Sequence, residues 1–421
     1  MKEDFLHYIW KEQLFDKTNL FLVNGEKVQI IEVGEHNTNA GPDFFNSKIK
    51  IDNLIWVGNV EIHINSSDWK KHKHQNDKAY NNVILHLVYN NDKETLTEKG
   101  DIPQTLSLVN RIDFNLLDRY KNLFKQKEVV LCSSYLSSVN DELWKDTLRK
   151  LSIYRINKKA EEIEESLDKT TNDLEWVLFS FVSQSLGLKV NKQAMLMLAQ
   201  SIPIKILRKY QKDTFQLSAL LFGQAGFLED DFKDTFPNDM QHEYRYLKHK
   251  HKLVCLEKYV WKFMRLRPAS FPAIRIAQLQ SIMSQPQFYV KIKQAITYKN
   301  LQLILKVELD KYWDTHYMFD KPSVSKKKKL GAGTLDIIII NAIVPLYFLI
   351  GKKDSKYKTY ATDLLKIIKA EKNSVVKKFT DSKKHINSAA DSQALIHLYN
   401  FYCIPKKCLT CSIGKQLIKN D

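Results

Sequence analysis

Two regions of different periodicity divide this chain and limit the folds that it can form. Over the first ~130 residues, apolar and polar residues alternate in short runs rich in β-branched side chains, the pattern of half-buried strands. Turn residues such as Asn24-Gly25 and Lys99-Gly100-Asp101 separate these runs. The predicted strands are 28–34, 43–51, 54–64, 83–90 and 105–109. From about residue 140 onward, the spacing of apolar residues instead predicts long amphipathic helices.

The predicted fold is therefore α+β. We expect an N-terminal α/β domain with a mixed sheet at 1–135 and a larger all-helical domain at 136–421. Helices at 4–15 and 112–127 should flank the strands. In the second domain, prolines 203, 237, 268, 272 and 322 are expected to break the helices.

The longest apolar run, 335–350, contains Asp336, Asn341 and Pro345 and is too short to span a bilayer comfortably. We interpret it as a buried core helix that Thr334 caps. The first residues are partly acidic and lack the apolar core of a signal peptide. Five cysteines, three of them near the C-terminus, do not indicate a secreted disulfide framework. These features predict a cytoplasmic protein without a membrane partner.

The chain is basic, with 65 Lys and Arg against 48 Asp and Glu, a net charge of +17 and a pI near 9.3. Such a balance favours a polyanionic partner, and nucleic acid is the expected one. A generally lysine-rich composition would produce the same balance.

The segment 41–64 places a carboxylate on one predicted strand and a Glu-x-His triplet on the next. Alternation puts Glu61 and His63 on one face of the sheet and Ile62 on the other. Asp43 begins the partner strand, so the hairpin returns it to the neighbourhood of Glu61. Two carboxylates beside the backbone carbonyl of Ile62 suit Mg²⁺ or Mn²⁺, which can activate water for phosphodiester cleavage. The alternative is a surface hairpin with a polar outer face.

Gly41-Pro42-Asp43, a strand, and Glu61-Ile62-His63 resemble the Pro-Asp…(Asp/Glu)-x-Lys signature of the PD-(D/E)XK nuclease superfamily. The resemblance covers residues 1 to about 130 and implies a restriction-endonuclease-like fold, in which a helix leads into a mixed sheet. It implies that Asp43 and Glu61 bind the metal. His63 stands where the superfamily has a lysine that orients or ionises the attacking water. A neutral histidine can act as a base but lacks a fixed positive charge.

The segments 37–49, 58–69 and 80–88 more closely resemble an uncharacterised bacterial domain-of-unknown-function family of about this length. That resemblance implies no activity. It does imply that the whole chain, including its cysteine-bearing tail, is one unit.

Polar residues are dense around the predicted hairpin, which indicates an additional site able to bind Zn²⁺. Its candidate residues are Glu35, His36, His72, His74 and His86. His86, in the middle of a strand, is also interpretable as a satisfied core imidazole. His72 and His74 are equally interpretable as parts of a solvated loop.

Three cysteines near the C-terminus, Cys403, Cys408 and Cys411, have the spacing Cys-x4-Cys-x2-Cys. In a cytoplasmic chain this spacing favours Zn²⁺ or an Fe–S cluster over disulfides. Cys132 and His397 are the candidates for a fourth ligand. Some nucleases of the superfamily named above hold an Fe–S cluster with one distant and three C-terminal cysteines, in a different spacing. The alternative is that these cysteines only pack.

Two basic stretches are candidates for nucleic-acid contacts. Segment 242–268 interleaves aromatic and basic residues, and its Arg265 and Arg267 lie beside the prolines at which the chain must leave the helix. Its other interpretation is an amphipathic helix with its basic face in water. Lys326 and Lys327 belong to a basic loop that usually is simply solvated, or that holds a phosphate.

Three functions follow from these patterns. The first is a metal-dependent nuclease acting on DNA or RNA, with Asp43, Glu61 and His63 as the catalytic residues. The second is a non-catalytic nucleic-acid-binding or scaffold protein that keeps a nuclease-like fold. The third is a zinc-dependent hydrolase that uses the histidines.

Overall fold

The computed structural model describes residues 1–168, 173–380 and 384–419. These residues form two compact units. The first comprises Met1–Thr147, Lys378–Lys384 and Leu398–Asp421, and the second comprises Leu148–Lys377 and His385–His397. The predicted α+β class is confirmed, with a mixed N-terminal sheet followed by a larger helical region. The C-terminal cysteine segment lies in the first unit, whereas the predicted division assigned it to the helical domain.

The strands lie mainly in the first unit. Their bounds are β1 Val28–Glu32, β2 Glu35–His36, β3 Phe44–Ile51, β4 Leu54–Asn65, β5 Val83–Asn90, β6 Thr105–Ser107, β7 His316–Met318 and β8 Lys321–Pro322.

The helices follow in chain order through both units. Their bounds are α1 Glu3–Lys11, α2 Asp68–Lys71, α3 Phe114–Phe124, α4 Asp141–Asp168, α5 Leu174–Leu186, α6 Lys192–Gln200, α7 Ile204–Tyr210, α8 Thr214–Gln224, α9 Thr235–His251, α10 Pro272–Met283, α11 Phe288–Gln294, α12 Tyr298–Leu305, α13 Tyr312–Thr315, α14 Ala332–Ile338, α15 Val344–Ile350, α16 Lys356–Ile367, α17 Ser374–Thr380, α18 Ala389–Leu398 and α19 Ser412–Lys419.

The sheet of the first unit has the order β1-β3-β4-β5-β6, and β2 pairs with the beginning of β3. The strands β1, β3 and β4 are antiparallel neighbours, while β4, β5 and β6 run parallel. All five predicted strands are present. The two-residue β2 was not predicted, because so short a strand leaves no alternation to detect.

The parallel pairing of β4 with β5 requires a crossover, which residues 66–82 provide. The crossover contains α2 and two short 3₁₀ turns, His74–Asn76 and Lys78–Tyr80. The Asp77 carboxylate stabilises the second turn by accepting a hydrogen bond of 2.9 Å from the Ala79 backbone N–H. This path carries the crossover past the end of β4 where Glu61 and His63 lie.

Helix α1 packs its apolar face on the sheet, with Phe5, Leu6 and Trp10 fully buried. The Trp10 indole N–H donates to the Val33 carbonyl at 3.0 Å and so anchors the helix. Glu3 and His7, one turn apart, remain half-buried at the edge of that packed face. The helix thereby presents two ionisable groups beside the sheet.

The second unit is helical and buries the predicted apolar segment. That segment forms α14, a π-helix at Ile339–Ile343, and α15. The π-helix precedes Pro345, whose missing N–H and bulky ring do not fit a continuous α-helix. Ala332–Ile350 is long and apolar enough to cross a membrane, but it is mostly buried in the unit, as a core helix of a soluble protein is.

Three local predictions in this unit were wrong. Helix α14 begins at Ala332, so Thr334 lies in its first turn and does not cap it. Helix α9 ends at His251, because Lys252 adopts a left-handed conformation (φ +53°), so the strip 242–268 is not one helix. Pro237 lies in the first turn of α9, where the lack of an N–H is tolerated, and does not break a helix.

Candidate metal centre

The predicted Asp43 and Glu61 carboxylates lie together at the junction of β3 and β4. Asp43 Oδ2 accepts a hydrogen bond from the Ile62 backbone N–H at 2.9 Å. Glu61 Oε2 accepts one from the Asp43 backbone N–H at 3.2 Å. The side chain of Ile62 is fully buried in the core on the opposite face, as the alternation predicted. These two hydrogen bonds hold both carboxylates at one end of the hairpin.

Four histidines surround Glu61 on the same face. His63 Nε2 lies 3.1 Å from His72 Nδ1 and 3.5 Å from Glu61 Oε1. His74 Nε2 lies 3.1 Å from the same carboxylate oxygen. On the other side of the His63 ring, Nδ1 lies 2.9 Å from His86 Nε2. The structure therefore joins His72 and His74 from the crossover with His63 and His86 from neighbouring strands.

These distances suit donors that share one metal ion. Ligand atoms about 2.0–2.1 Å from a tetrahedral zinc stand about 3.3 Å apart. The ligating nitrogens of His63, His72 and His74 all lie within 4.8 Å of one another. His74 Nε2 is buried, and its approach to Glu61 Oε1 at 3.1 Å lacks the geometry of a hydrogen bond, so this nitrogen has no hydrogen-bond partner within the described part of the chain. A metal ion at this point would use that lone pair, so the residues present fit such an ion.

His86 acts as a partner of the ligand set. For His63 to coordinate through Nε2, its proton must sit on Nδ1, where it can donate to His86 Nε2. Both rings are completely buried, which fixes this arrangement. His86 is a fully buried core imidazole that bonds to His63 through Nε2, while its Nδ1 has no hydrogen-bond partner in the described part of the chain.

Burial favours the neutral form of His63, His74 and His86. Burial, reinforced by His86 and the other neighbouring histidines, lowers the pKa of His63 to about 2. Burial and the proximity of His74 lower the pKa of His86 to about 3. Burial also lowers the pKa of His74. Neutral imidazole is the form that binds metal, so this centre needs no proton release from His63 near neutral pH.

Glu61 shows the opposite shift. Burial, together with the nearby negative charge of Asp43, raises the pKa of Glu61 to about 9. An ionised carboxylate at this position therefore lacks sufficient positive charge around it. A divalent cation would supply that charge.

Helix α1 contributes two residues that the sequence analysis missed. His7 Nε2 lies 3.3 Å from Asp43 Oδ2. Burial lowers the pKa of His7, but the hydrogen bond and charge of Asp43 outweigh burial and raise it. Burial and Asp43 also raise the pKa of Glu3. The available signal was the spacing of two ionisable residues by four on a helix whose other face is strongly apolar.

Two predicted residues lie at the margin of the centre. Glu35 is exposed on β2. The ring of His36 lies 5.5 Å from that of His7 and 5.0 Å from that of Phe44. His36 therefore adjoins the α1 side of the site and not the histidine set around Glu61.

An aromatic wall closes the histidine side of the centre. The ring of Tyr80 stacks on that of His74 at 3.8 Å, and Trp69 lies edge-on to His74 at 5.4 Å. Trp69 is fully buried, and its indole N–H donates to the Leu96 carbonyl. His72, by contrast, is exposed. The centre is thus open to solvent on the His72 side.

The four predicted cysteine ligands all lie in the first unit, but the group of possible metal donors among the described residues, His63, His72 and His74, includes no cysteine. Burial, followed by Cys403, Cys411 and Cys408, raises the pKa of Cys132 well above its ordinary value. Burial and the other two thiols raise the pKa of Cys403 to about 12. Cys403 ends a π-helix at Tyr399–Cys403, and Cys411 directly precedes α19. The other candidate, His397, belongs to the second unit.

The residues predicted to bind nucleic acid lie in the second unit. Arg265, Arg267, Lys326 and Lys327 are all exposed. Lys327 lies 3.9 Å from the Glu308 carboxylate. Two aromatic residues of the segment 242–268, Tyr244 and Trp261, are buried. This segment is therefore not a continuous row of exposed rings.

We expect the isolated protein to bind zinc through nitrogen and oxygen ligands. X-ray absorption should show scatterers at about 2.0–2.1 Å, distinct from sulfur at about 2.3 Å. His74→Ala should reduce this shell, because it removes one of the donors. His36→Ala is the matched control and should leave it intact. A nitrogen and oxygen shell that is absent from the wild type, or unchanged in His74→Ala, contradicts the centre.

The ionisation of Glu61 should destabilise the metal-free protein as the pH rises from about 6.5 to about 9, whereas Lys159, with a lowered pKa of about 7, acts in the opposite direction above pH 7. The pKa of Glu61 is about 9 in the folded state against an ordinary 4.5, so its contribution to stability is complete below 4.5 and is lost toward 9. The lowered pKa values of His63 and His86 act only below about pH 6.5. Glu61→Gln should therefore show a smaller fall in Tm over this range.

The control for that measurement is Glu35→Gln, which removes an exposed carboxylate from the same sheet. Its Tm should follow the wild type across the range, with a chelator present throughout. Parallel curves for wild type and Glu61→Gln would show that Glu61 ionises without cost.

Comparison with known proteins gives one family. No curated protein and no solved structure matches this chain. The matched region of the family model contains all the residues of the histidine centre and ends before the three C-terminal cysteines. The chain belongs to DUF2851, described as a protein of unknown function, whose model matches residues 3–374.

Proposed function

We propose that this protein is a metal-dependent hydrolase that cleaves phosphodiesters in nucleic acid. The observation that carries the proposal is the convergence of Asp43, Glu61 and three histidines at one end of β3 and β4. Carboxylates and imidazoles that face each other at such distances form a donor set for a catalytic divalent ion.

The chain path around this centre supports the nuclease resemblance. Helix α1 leads into the antiparallel strands β1, β3 and β4, and the crossover then adds a parallel strand. Asp43 directly precedes β3, and Glu61 and His63 lie on β4. These are the positions that the Pro-Asp…Glu-x-His resemblance implies.

The donor set favours Zn²⁺ or Mn²⁺ over the Mg²⁺ expected from the carboxylates. Mg²⁺ prefers oxygen ligands, whereas imidazole suits zinc and other transition metals. Mg²⁺ was expected because the ligands predicted from the sequence, Asp43, Glu61 and the Ile62 carbonyl, are all oxygen donors. The crossover histidines His72 and His74 change that balance.

When bound, such an ion lowers the pKa of a coordinated water and polarises the phosphoryl group. We assign His63 as a ligand and not as the base, because its ring is fully buried and both its nitrogens face partners. His7 is the group able to hold a proton beside Asp43, since its pKa is raised. Protonated His7 supplies a positive charge. His63, which stands where the superfamily has a lysine, is neutral and does not supply one.

Nucleic acid is the proposed substrate because of the charge distribution. The whole chain has a net charge of +17. Residues 1–147 contain 18 Lys and Arg against 22 Asp and Glu, so the basic excess lies in the remainder of the chain. There the exposed Arg265, Arg267, Lys326 and Lys327 are the proposed phosphate contacts. We propose a cytoplasmic location.

A zinc-dependent hydrolase of a smaller substrate is the second candidate. The acidic balance of residues 1–147, which contain the centre, favours it over a polyanionic substrate. A non-catalytic nucleic-acid-binding protein is the third, and it differs from the first only in the absence of turnover.

Glu61→Ala should abolish cleavage of mixed DNA and RNA in the presence of Zn²⁺ or Mn²⁺ while leaving binding intact, because it removes one ligand and one negative charge. His63→Lys should also abolish cleavage, since lysine cannot replace a buried imidazole ligand. Glu32→Ala, which removes an exposed carboxylate on β1, is the control and should remain active. Both activity and binding are measured on labelled substrates.

Two results would redirect the proposal. Activity of His63→Lys with Mg²⁺ at or above the wild-type level would make His63 the counterpart of the catalytic lysine and not a ligand. Binding without cleavage in the wild type, with every divalent ion tested, would favour the non-catalytic alternative.

We further propose that Cys132, Cys403, Cys408 and Cys411 form a metal or Fe–S site that stabilises the first unit. The mutual influence of their thiols on one another's pKa values supports this assignment. Thiolate binding of a metal would offset the burial that raises each of those pKa values.

Protein purified without oxygen should contain iron and acid-labile sulfide and be brown, or contain zinc bound to sulfur at about 2.3 Å. Cys408→Ser should reduce the content of that metal and lower Tm. Cys255→Ser, which replaces the remaining cysteine, is the control. If metal-free protein is freely alkylated at all four thiols without loss of stability, these residues only pack.

A further inference from the structure

A cavity of about 600 Å³ lies within the helical unit, separate from the metal centre. Arg155 and Lys159, one turn apart on α4, line one side of it, and Asn341 of the π-helix lines another. Two carboxylates, those of Glu162 and Glu371, also line the cavity. The apolar part of its lining includes Phe181, Leu188, Ile337, Val375 and Ile396. A cavity of this size and mixed lining is typical of a small-molecule site.

The two cations on α4 have only neutral hydrogen-bond partners in the described part of the chain. Arg155 Nε donates to Gln393 Oε1 at 2.6 Å. Lys159 Nζ donates to Gln393 Oε1 at 3.1 Å and to Asn341 Oδ1 at 2.5 Å. The Glu371 carboxylate, which also lines the cavity, accepts from the Gln393 amide and forms no hydrogen bond with either cation among the described residues. An amide group thus separates the cations from their acidic neighbour.

This arrangement costs free energy in the absence of a ligand. Two positive charges four residues apart on a helix repel each other, and partial burial removes the water that would screen them. Burial, followed by the charge of Arg155, lowers the pKa of Lys159 to about 7, although the negative charges of Glu371 and Glu162 partly oppose this shift. The exposed Lys189 and Lys192 add further positive charge at the cavity rim.

The geometry also leaves donors available. Arg155 uses Nε for Gln393, and its two terminal nitrogens have no partner among the described residues. These nitrogens form the side of the guanidinium that binds phosphate or carboxylate in a bidentate manner. Asn341 anchors its own amide on the Ile337 carbonyl at 2.8 Å, which orients its oxygen toward Lys159. The π-helix places Asn341 on this wall of the cavity.

We propose that this cavity binds a small organic phosphate, a phosphate monoester with an apolar or planar body. A doubly charged group matches the two cations, and the cavity is far larger than a phosphate ion alone. The apolar walls accommodate the remainder of the molecule.

The probes for the full-length protein are adenosine 5′-monophosphate, inorganic phosphate, adenosine and succinate. The monophosphate should raise Tm and bind measurably by calorimetry, inorganic phosphate should bind more weakly, and adenosine should not bind. Arg155→Gln and Lys159→Met should each weaken binding of the monophosphate at least tenfold. Lys158→Gln, an exposed neighbour on the same helix, is the matched control and should bind as the wild type does.

Stability in the absence of ligand separates a binding site from a structural network. If the cations await a ligand, Lys159→Met should keep or raise the Tm of the ligand-free protein, because it removes an uncompensated charge. A lower Tm in Lys159→Met, together with unchanged binding of the monophosphate, would show that Lys159 only stabilises the side chains of Asn341 and Gln393 and does not bind the ligand. Tighter binding of succinate than of the monophosphate, or no effect of any probe on wild-type Tm, would overturn the proposal.

Discussion

The reciprocal hydrogen bonds between Asp43 and β4 determine the geometry of the first unit. Because Asp43 precedes β3, the N–H of Ile62 has a carboxylate as its partner instead of a strand carbonyl. In the reverse direction, the Asp43 backbone N–H donates a hydrogen bond to the Glu61 carboxylate. Asp43 therefore ends the antiparallel ladder with its side chain and orients the Glu61 carboxylate with its backbone N–H. The histidines, the crossover and α1 are all arranged around that fixed point.

The centre is electrostatically incomplete as an all-protein arrangement. Burial keeps His63 neutral and favours the protonated form of Glu61. Burying these polar groups without an opposite charge costs free energy. Such an imbalance is characteristic of functional sites. The cavity of the helical unit shows the opposite imbalance, with cations bonded only to amides. We therefore expect a bound cation to stabilise the first unit and a bound anion to stabilise the second.

Periodicity predicted the strands and the shared face of Glu61 and His63, because alternation is a local property of an extended chain. The sequence did not reveal His7, since its proximity to Asp43 depends on how α1 packs on the sheet. The end of α9 at Lys252 was also missed: a lysine in the left-handed conformation leaves no signal comparable to glycine.

Density along the chain indicated His72 and His74, but it could not distinguish a solvated loop from ligands. The deciding factor is the path of the crossover, which depends on the parallel direction of β5. Cys132 and the C-terminal cysteines are separated by most of the chain, so spacing alone could not unite them. They belong to the same unit because the C-terminal segment returns to it, where the Arg119 side chain donates to the Ile418 carbonyl at 2.7 Å.

The crossover between β4 and β5 has a consequence for the order in which the sheet forms. A parallel strand pairs only after its intervening loop has closed, and closing a flexible loop costs entropy. An ion shared by Glu61 on the strand and His74 on the crossover, as proposed above, would tie that loop near its midpoint. In the absence of such an ion we expect the amide hydrogens of β5 and β6 to exchange before those of the antiparallel strands. A bound metal would thus stabilise the parallel pairing of β4 with β5 at a late stage of folding.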